Sequence, residues 1–190
     1  ESMKVTMEAG GVDVPETIEK RAAIAGLEIP SQTPEMRLRE KRRKTLKEVN
    51  EEARRFYEEL LWSGAGHDGL LYLKNRGLSD NVIKKYRLGF SLGGKHSLKD
   101  AMSQRGIDLS LLNEAGLVRV SDQNGEHYDY FRNRVMFPIG DRRGQVIAFG
   151  ARTIGESQPK YLNSPETPLF QKGRILYGTS QARESSSQQK

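Results

Sequence analysis

Apolar residues change their spacing once along this chain, close to residue 116. Before that point they recur at three- and four-residue intervals, as on the buried stripe of a helix; after it they alternate, as in strands. A short helix is predicted over residues 15–25, opened by Pro15 and closed by Gly26, and a Pro-rich linker follows at 30–34. Thr33, Pro34 and Glu35 then make an N-terminal cap for a long helix reaching about Trp62. Its stripe of Leu46, Val49, Ala53, Phe56, Tyr57, Leu60 and Leu61 occupies only the C-terminal half, so residues 36–44 are predicted to project from the body. Four short helices follow at 68–76, 80–86, 98–105 and 109–115, with Ser79 and Ser97 as caps and Gly77, Gly106 and Gly116 as stops.

A strand at 87–91 interrupts the helices, and from 117 strands take over. Residues 117–120 lead through a turn at 122–125 to a long strand at 130–139, a tight loop at 140–144 and a return strand at 145–152. The predicted class is α+β: N-terminal helices including one long helix, then a small antiparallel β-sheet. Alternation places Phe131, Val135, Phe137 and Ile139 on one face of the long strand and Arg132 and Arg134 on the other. In the return strand Ile147 and Phe149 match the apolar face, leaving Val146, Ala148, Gly150 and Arg152 opposite. Three guanidinium groups are thereby predicted on one low-relief surface, suited to bidentate contacts with a phosphate backbone. An exposed sheet face with unused arginines is the plainer alternative.

Charge sharpens that picture. The 190 residues carry 31 Lys and Arg against 25 Asp and Glu, a net charge of +6. Nine of the bases and only three of the acids lie between Phe131 and Arg183, so this segment holds the whole excess. A polyanionic partner follows naturally, because Lys and Arg neutralise phosphates and release counterions. The basic run at 37–44 reads instead as a solvated helix face, offset by Glu48, Glu51, Glu52, Glu58 and Glu59. Further on, Lys160, Tyr161 and Asn163 set a cation, a ring and a carboxamide within four residues, able to neutralise, stack and hydrogen-bond. Lys172 and Arg174 add weaker candidates.

Other chemistries find little support. Absence of cysteine excludes a disulfide framework, a thiolate zinc site and a cysteine nucleophile. His67, His96 and His127 are scattered without ligand spacing, and Gly93-Gly94-Lys95 lacks the rest of a phosphate loop. No metal ligands or catalytic residues are assigned within the chain. No apolar run approaches the ~20 residues that span a bilayer, so a soluble, cytoplasmic protein without a membrane partner is predicted.

From Tyr128 onward the chain resembles the RNA polymerase core of bacterial DnaG-type primases. The likeness is carried by Tyr130-Phe131-Arg132-Asn133-Arg134-Val135-Met136-Phe137-Pro138-Ile139, by the strand from Gly144 to Arg152, and by Pro159-Lys160-Tyr161-Leu162-Asn163-Ser164-Pro165-Glu166-Thr167. Phe170-Gln171-Lys172-Gly173-Arg174-Ile175-Leu176-Tyr177-Gly178 completes the order. Among the helices, Phe56-Tyr57, Tyr72-Leu73-Lys74-Asn75-Arg76-Gly77-Leu78 and Leu88-Gly89-Phe90 are similar too.

The resemblance implies residues 1–30 as a linker helix from a zinc-binding domain and 31–183 as the core's N-terminal subdomain. Within that subdomain 34–116 is the helical part and 117–183 the sheet part, with 184–190 a tail of disordered composition. By the same resemblance the parent enzyme synthesises short RNA primers on single-stranded DNA from ribonucleoside triphosphates with Mg²⁺ or Mn²⁺. Its Zn²⁺, its metal-binding Toprim carboxylates and its contact with the replicative helicase would lie in other domains. Arg132, Arg134 and Arg152 would then hold template or nucleotide phosphates, while Lys160, Tyr161 and Asn163 face the metal site. The chain alone would be inactive. A non-catalytic single-stranded nucleic-acid-binding module, and a scaffold whose basic face docks an acidic metal domain, remain the alternatives.

Overall fold

A computed structural model describes residues 33–174; the helix at 15–25 and the tail at 184–190 lie outside the described residues. The chain divides into two compact units, residues 1–40 and 41–190. In the first, Thr33 caps the long helix α1 (Pro34–Trp62), its Oγ1 accepting from the Met36 amide at 3.2 Å, and the residues up to Glu40 are exposed.

Within the second unit, α1 continues from Lys41 with Leu46, Val49, Ala53, Tyr57 and Leu61 buried, the stripe read from the sequence. Arg42 and Arg43 do not project as predicted. Arg42 pairs with Glu114, and Arg43 donates to the Pro168 carbonyl at 2.6 Å, so the second half of the basic run is docked rather than solvated. Four of the five glutamates expected to offset that run serve other arginines: Glu51 and Glu58 pair with Arg54, and Glu52 and Glu59 with Arg105.

Short helices α2 (His67–Asn75), α3 (Asp80–Lys85), α4 (Ser97–Gln104) and α5 (Leu109–Glu114) fall within a residue or two of the predicted spans. Ser79 caps α3, accepting from the Val82 amide. Ser97 does not cap α4. It lies inside the first turn, and the orphan amides of Leu98 and Lys99 instead donate to the Asp129 carboxylate at 2.7 and 3.0 Å. Burial pushes the Asp129 carboxyl up from its ordinary value, and those two amides partly offset the rise.

Strand β1 (Gly89–Ser91) pairs with β4 (Arg134–Gly140), β4 with β5 (Val146–Thr153) and β5 with β6 (Tyr161–Asn163), all antiparallel. A separate ribbon joins β2 (Val118–Val120) to β3 (His127–Asp129). The strand predicted at 130–139 therefore begins only at Arg134; residues 130–133 form a break between β3 and β4, where Asn133 adopts φ 52°. A left-handed residue turns the chain and resets the alternation.

Both faces of the four-stranded sheet are covered, which is why β4 is buried along nearly its whole length. On one face Met136 and Phe149 join Tyr57, Leu98, Leu112, Leu117 and Phe131 in the larger core, with Tyr57 edge-on to Phe149 at 5.6 Å. Gly89 permits this approach, because a Cβ there would stand 2.6 Å from the Tyr57 Cβ. On the other face Phe90 and Val135 pack with Leu61, Leu73, Ile83 and Leu88.

Candidate nucleic-acid interface

Pairing register decides which side chains can act together. The tip of the β4–β5 hairpin pairs Gly140 with Val146, a register that would set Arg134 opposite Arg152 if it continued. An irregularity between Ile139 and Gly140 shifts the pairing by one, so Arg134 meets Thr153 and Arg152 meets Val135. Directly paired residues share a face, and a one-residue slip exchanges faces. Arg134 and Arg152 consequently lie on opposite sides of the sheet. Arg132 belongs to neither strand, since it lies in the break before β4. The predicted single surface of three arginines does not form.

On the Val135 face, Arg152 lies in a stack of aromatic rings. Its guanidinium carbon is 5.0 Å from the Tyr161 ring centre and 5.7 Å from that of Tyr72, and Nη1 donates to the Tyr161 hydroxyl at 2.6 Å. Arg76 covers Tyr72 at 5.3 Å, extending the row across the end of α2. Tyr72 and Arg76 are four residues apart, which puts both on one helix face. Tyr161 is 63% exposed, leaving its ring available for a stacking partner. Neither Arg76 nor Arg152 has an acidic partner among the described residues. Lys160 is exposed at the entry to β6, its carbonyl accepting from the Thr153 amide at 3.1 Å. Asn163 shares the face of Tyr161 and lies opposite Gly150, where a Cβ would approach its Oδ1 to 3.3 Å.

Arg134 is a different kind of residue. It is buried, its Nη1 donates to the Pro159 carbonyl at 2.8 Å, and its backbone amide donates to Ser91 Oγ. Burial pushes its guanidinium down from the ordinary value, with Tyr130 opposing and Arg132 adding to the shift. These bonds anchor the loop that leads into Lys160 and Tyr161. Arg132 is exposed, with its guanidinium 5.2 Å from the Tyr128 ring centre. Lys172 is exposed, its amide held by Glu166; Arg174 ends the turn Lys172–Arg174, and its side chain lies outside the described residues.

Tyr72 and Arg76 were not among the expected site residues, although their four-residue spacing on a helix was a usable signal. Arg119, Tyr128 and Tyr130 escaped because nothing local announces a ribbon folding beside a sheet. Among the described residues, no group of three or more His, Asp or Glu side chains could hold a metal ion, and no helix is long and apolar enough to cross a membrane.

Guanidinium groups are thus layered on tyrosines beside the edge strand β6. The family described as "DNA primase catalytic core, N-terminal domain" matches residues 56–183, and the chain belongs to that family. The DNA primase of Halalkalibacterium halodurans is 38% identical over 173 residues, covering 90% of this chain and 28% of the relative. The chain thus spans less than a third of the length of that relative. Among solved structures, a DnaG primase catalytic domain bound to ssDNA is similar with a TM-score of 0.69 and 41% identity, over 76% of this chain and 46% of that one. The zinc-binding and RNA polymerase domains of the Aquifex aeolicus primase give a TM-score of 0.67 at 27% identity, covering all of this chain and 44% of that one.

Proposed function

We propose that this chain is the template-binding part of a DNA primase, holding single-stranded DNA while RNA primers are made from ribonucleoside triphosphates. The observation that carries the reading is Arg152, set between the rings of Tyr72 and Tyr161 with no carboxylate partner among the described residues. The rings hold the guanidinium in place and Nη1 is engaged by the Tyr161 hydroxyl, which leaves Nη2 for a phosphate oxygen. Tyr161 supplies a stacking surface, Arg76 and Lys160 flanking positive charge, and Asn163 a donor–acceptor pair for a base edge. Lys172 and Arg174 extend the charge further along the chain. Arg134 acts by holding the loop before Lys160 in place, and we assign it a positioning role.

The wider parts of this reading concern the whole enzyme. Mg²⁺ or Mn²⁺ would assist phosphoryl transfer, Zn²⁺ would serve a separate domain, and the replicative helicase would be a partner in the cytoplasm. The described residues do not fit a metal, so none of these ions is assigned to them; the chain's own residues bind and orient the strand.

Fluorescence anisotropy with a labelled single-stranded oligonucleotide tests the reading. Arg76→Ala with Arg152→Ala should weaken binding at least tenfold and lower the log–log salt slope by about 1.4, two phosphate contacts at roughly 0.7 each. Unchanged affinity and slope would overturn this interface; an intact chain that binds no DNA even in low salt would favour a scaffold.

A further inference from the structure

The opposite side of the sheet carries a second row that the proposed interface does not use. Arg119 and Tyr128 are direct partners across the β2–β3 ribbon and so share a face. Arg119 lies over the Tyr130 ring at 5.2 Å, and Arg132 over the Tyr128 ring at 5.2 Å, giving two guanidinium–tyrosine pairs side by side. Both arginines are exposed and neither has an acidic partner among the described residues. Each guanidinium carbon stands over a tyrosine ring at cation–π distance while the side chain stays exposed, so solvent or a ligand can reach it.

A single residue joins the two rows. Tyr130 donates its hydroxyl to the Asn163 carbonyl at 3.3 Å, while the Asn163 side chain lies on the Arg152 face. Since β6 is the edge strand, nothing in the sheet lies beyond Asn163 to separate one face from the other. Phe131 packs on Phe149 at 6.2 Å, fixing the ribbon's exit against the Met136 face.

We infer that Arg119, Tyr128, Tyr130 and Arg132 form a second contact for the same kind of ligand. A nucleic-acid strand held by Arg152 and Tyr161 crosses the β6 edge, and its phosphates further along are taken by Arg119 and Arg132. Short strands fill only the first row; longer ones reach both. This rests on the proposed function, because it presupposes that the chain binds a single strand at all.

The test compares labelled deoxythymidine homopolymers of about 6 and about 20 nucleotides in low salt, lengths that bracket single-strand site sizes. Arg119→Ala with Arg132→Ala should weaken binding of the long strand about tenfold and lower its salt slope by about 1.4, leaving the short strand unaffected. Arg152→Ala should weaken both lengths. Both altered residues are exposed, so the melting midpoint should stay at the unaltered chain's value, and Arg119→Lys with Arg132→Lys should restore most of the slope. Equal losses for both lengths, or no loss for either, would overturn the second contact while leaving the first standing. Failure of the unaltered chain to bind either strand would overturn the proposed function itself, and this inference with it.

Discussion

Arg134 and Arg152 stand one residue out of step on paired strands, yet they do opposite things. Arg152 is half-buried in the company of two tyrosine rings; Arg134 is buried with its donor committed to a main-chain carbonyl. Sequence composition treats them alike, since each is an arginine in an alternating apolar run. The difference is made by one irregular step at Ile139 and Gly140, which sends one guanidinium to the ligand side and the other into the scaffold. A bulge here chooses which cation is free, and it does so without altering the charge of the chain.

If this contrast is right, the two arginines should separate most clearly in stability. Arg134→Met should lose about 1.5–3 kcal/mol, the usual worth of a hydrogen bond from a charged group whose carbonyl partner is left behind. Arg152→Met should lose less, about 1 kcal/mol, because its ring contacts and its bond to the Tyr161 hydroxyl involve a partner that water can still reach once the guanidinium is gone. Urea unfolding of the two variants measures both. A larger loss for Arg152 than for Arg134 would break the comparison, since it would make the tyrosine stack a structural element.

The helical half and the strand half differed in how far they could be read. Thr33, Ser79 and the stripe from Leu46 to Leu61 act locally, through hydrogen bonds and contacts three or four residues away, and the observed helices follow them. Ser97 failed as a cap because Asp129, distant in sequence, supplies both oxygens. Strand faces failed for the same kind of reason: Asn133 breaks the run and the hairpin bulge shifts its phase, and neither leaves an apolar signature. The buried length of β4 was the clue to a sheet covered on both faces, for Val135-Met136-Phe137-Pro138-Ile139 has no polar partner series. At the site, Lys160, Tyr161 and Asn163 were readable as a local cluster, whereas Tyr72 and Arg76 join it only through Arg152, which tertiary packing sets over the Tyr72 ring.

Gly150 offers a finer probe of the ligand face. A methyl group there would approach Asn163 Oδ1 to 3.3 Å and the Phe137 Cβ to 3.9 Å, so the carboxamide must give way by a few tenths of an ångström. Gly150→Ala should therefore weaken single-stranded DNA binding about threefold, roughly 0.7 kcal/mol. The melting midpoint should hold. Unaltered binding would remove Asn163 from the interface while leaving the arginine stack in place.

The smallest effect belongs to the hairpin tip, where Lys47 of α1 clamps Asp141 at 2.8 Å. Desolvation pushes the Asp141 carboxyl up, but Lys47 and the Arg143 and Gln145 amides together outweigh it, so its pKa lies below the ordinary value. A depressed carboxyl contributes stability that is present above its unfolded value, about 3.9, and is lost as pH falls through the lower folded one. Asp141→Asn should accordingly flatten the acid limb of stability below about pH 4, by about 1 kcal/mol at most for a single half-buried pair. At neutral pH it should leave DNA affinity untouched, because the bulge between Ile139 and Gly140 is a backbone feature that lies outside the clamp. If affinity fell with this substitution, the contact from Lys47 would be holding the register, and the separation of Arg134 from Arg152 would depend on α1 as much as on the sheet.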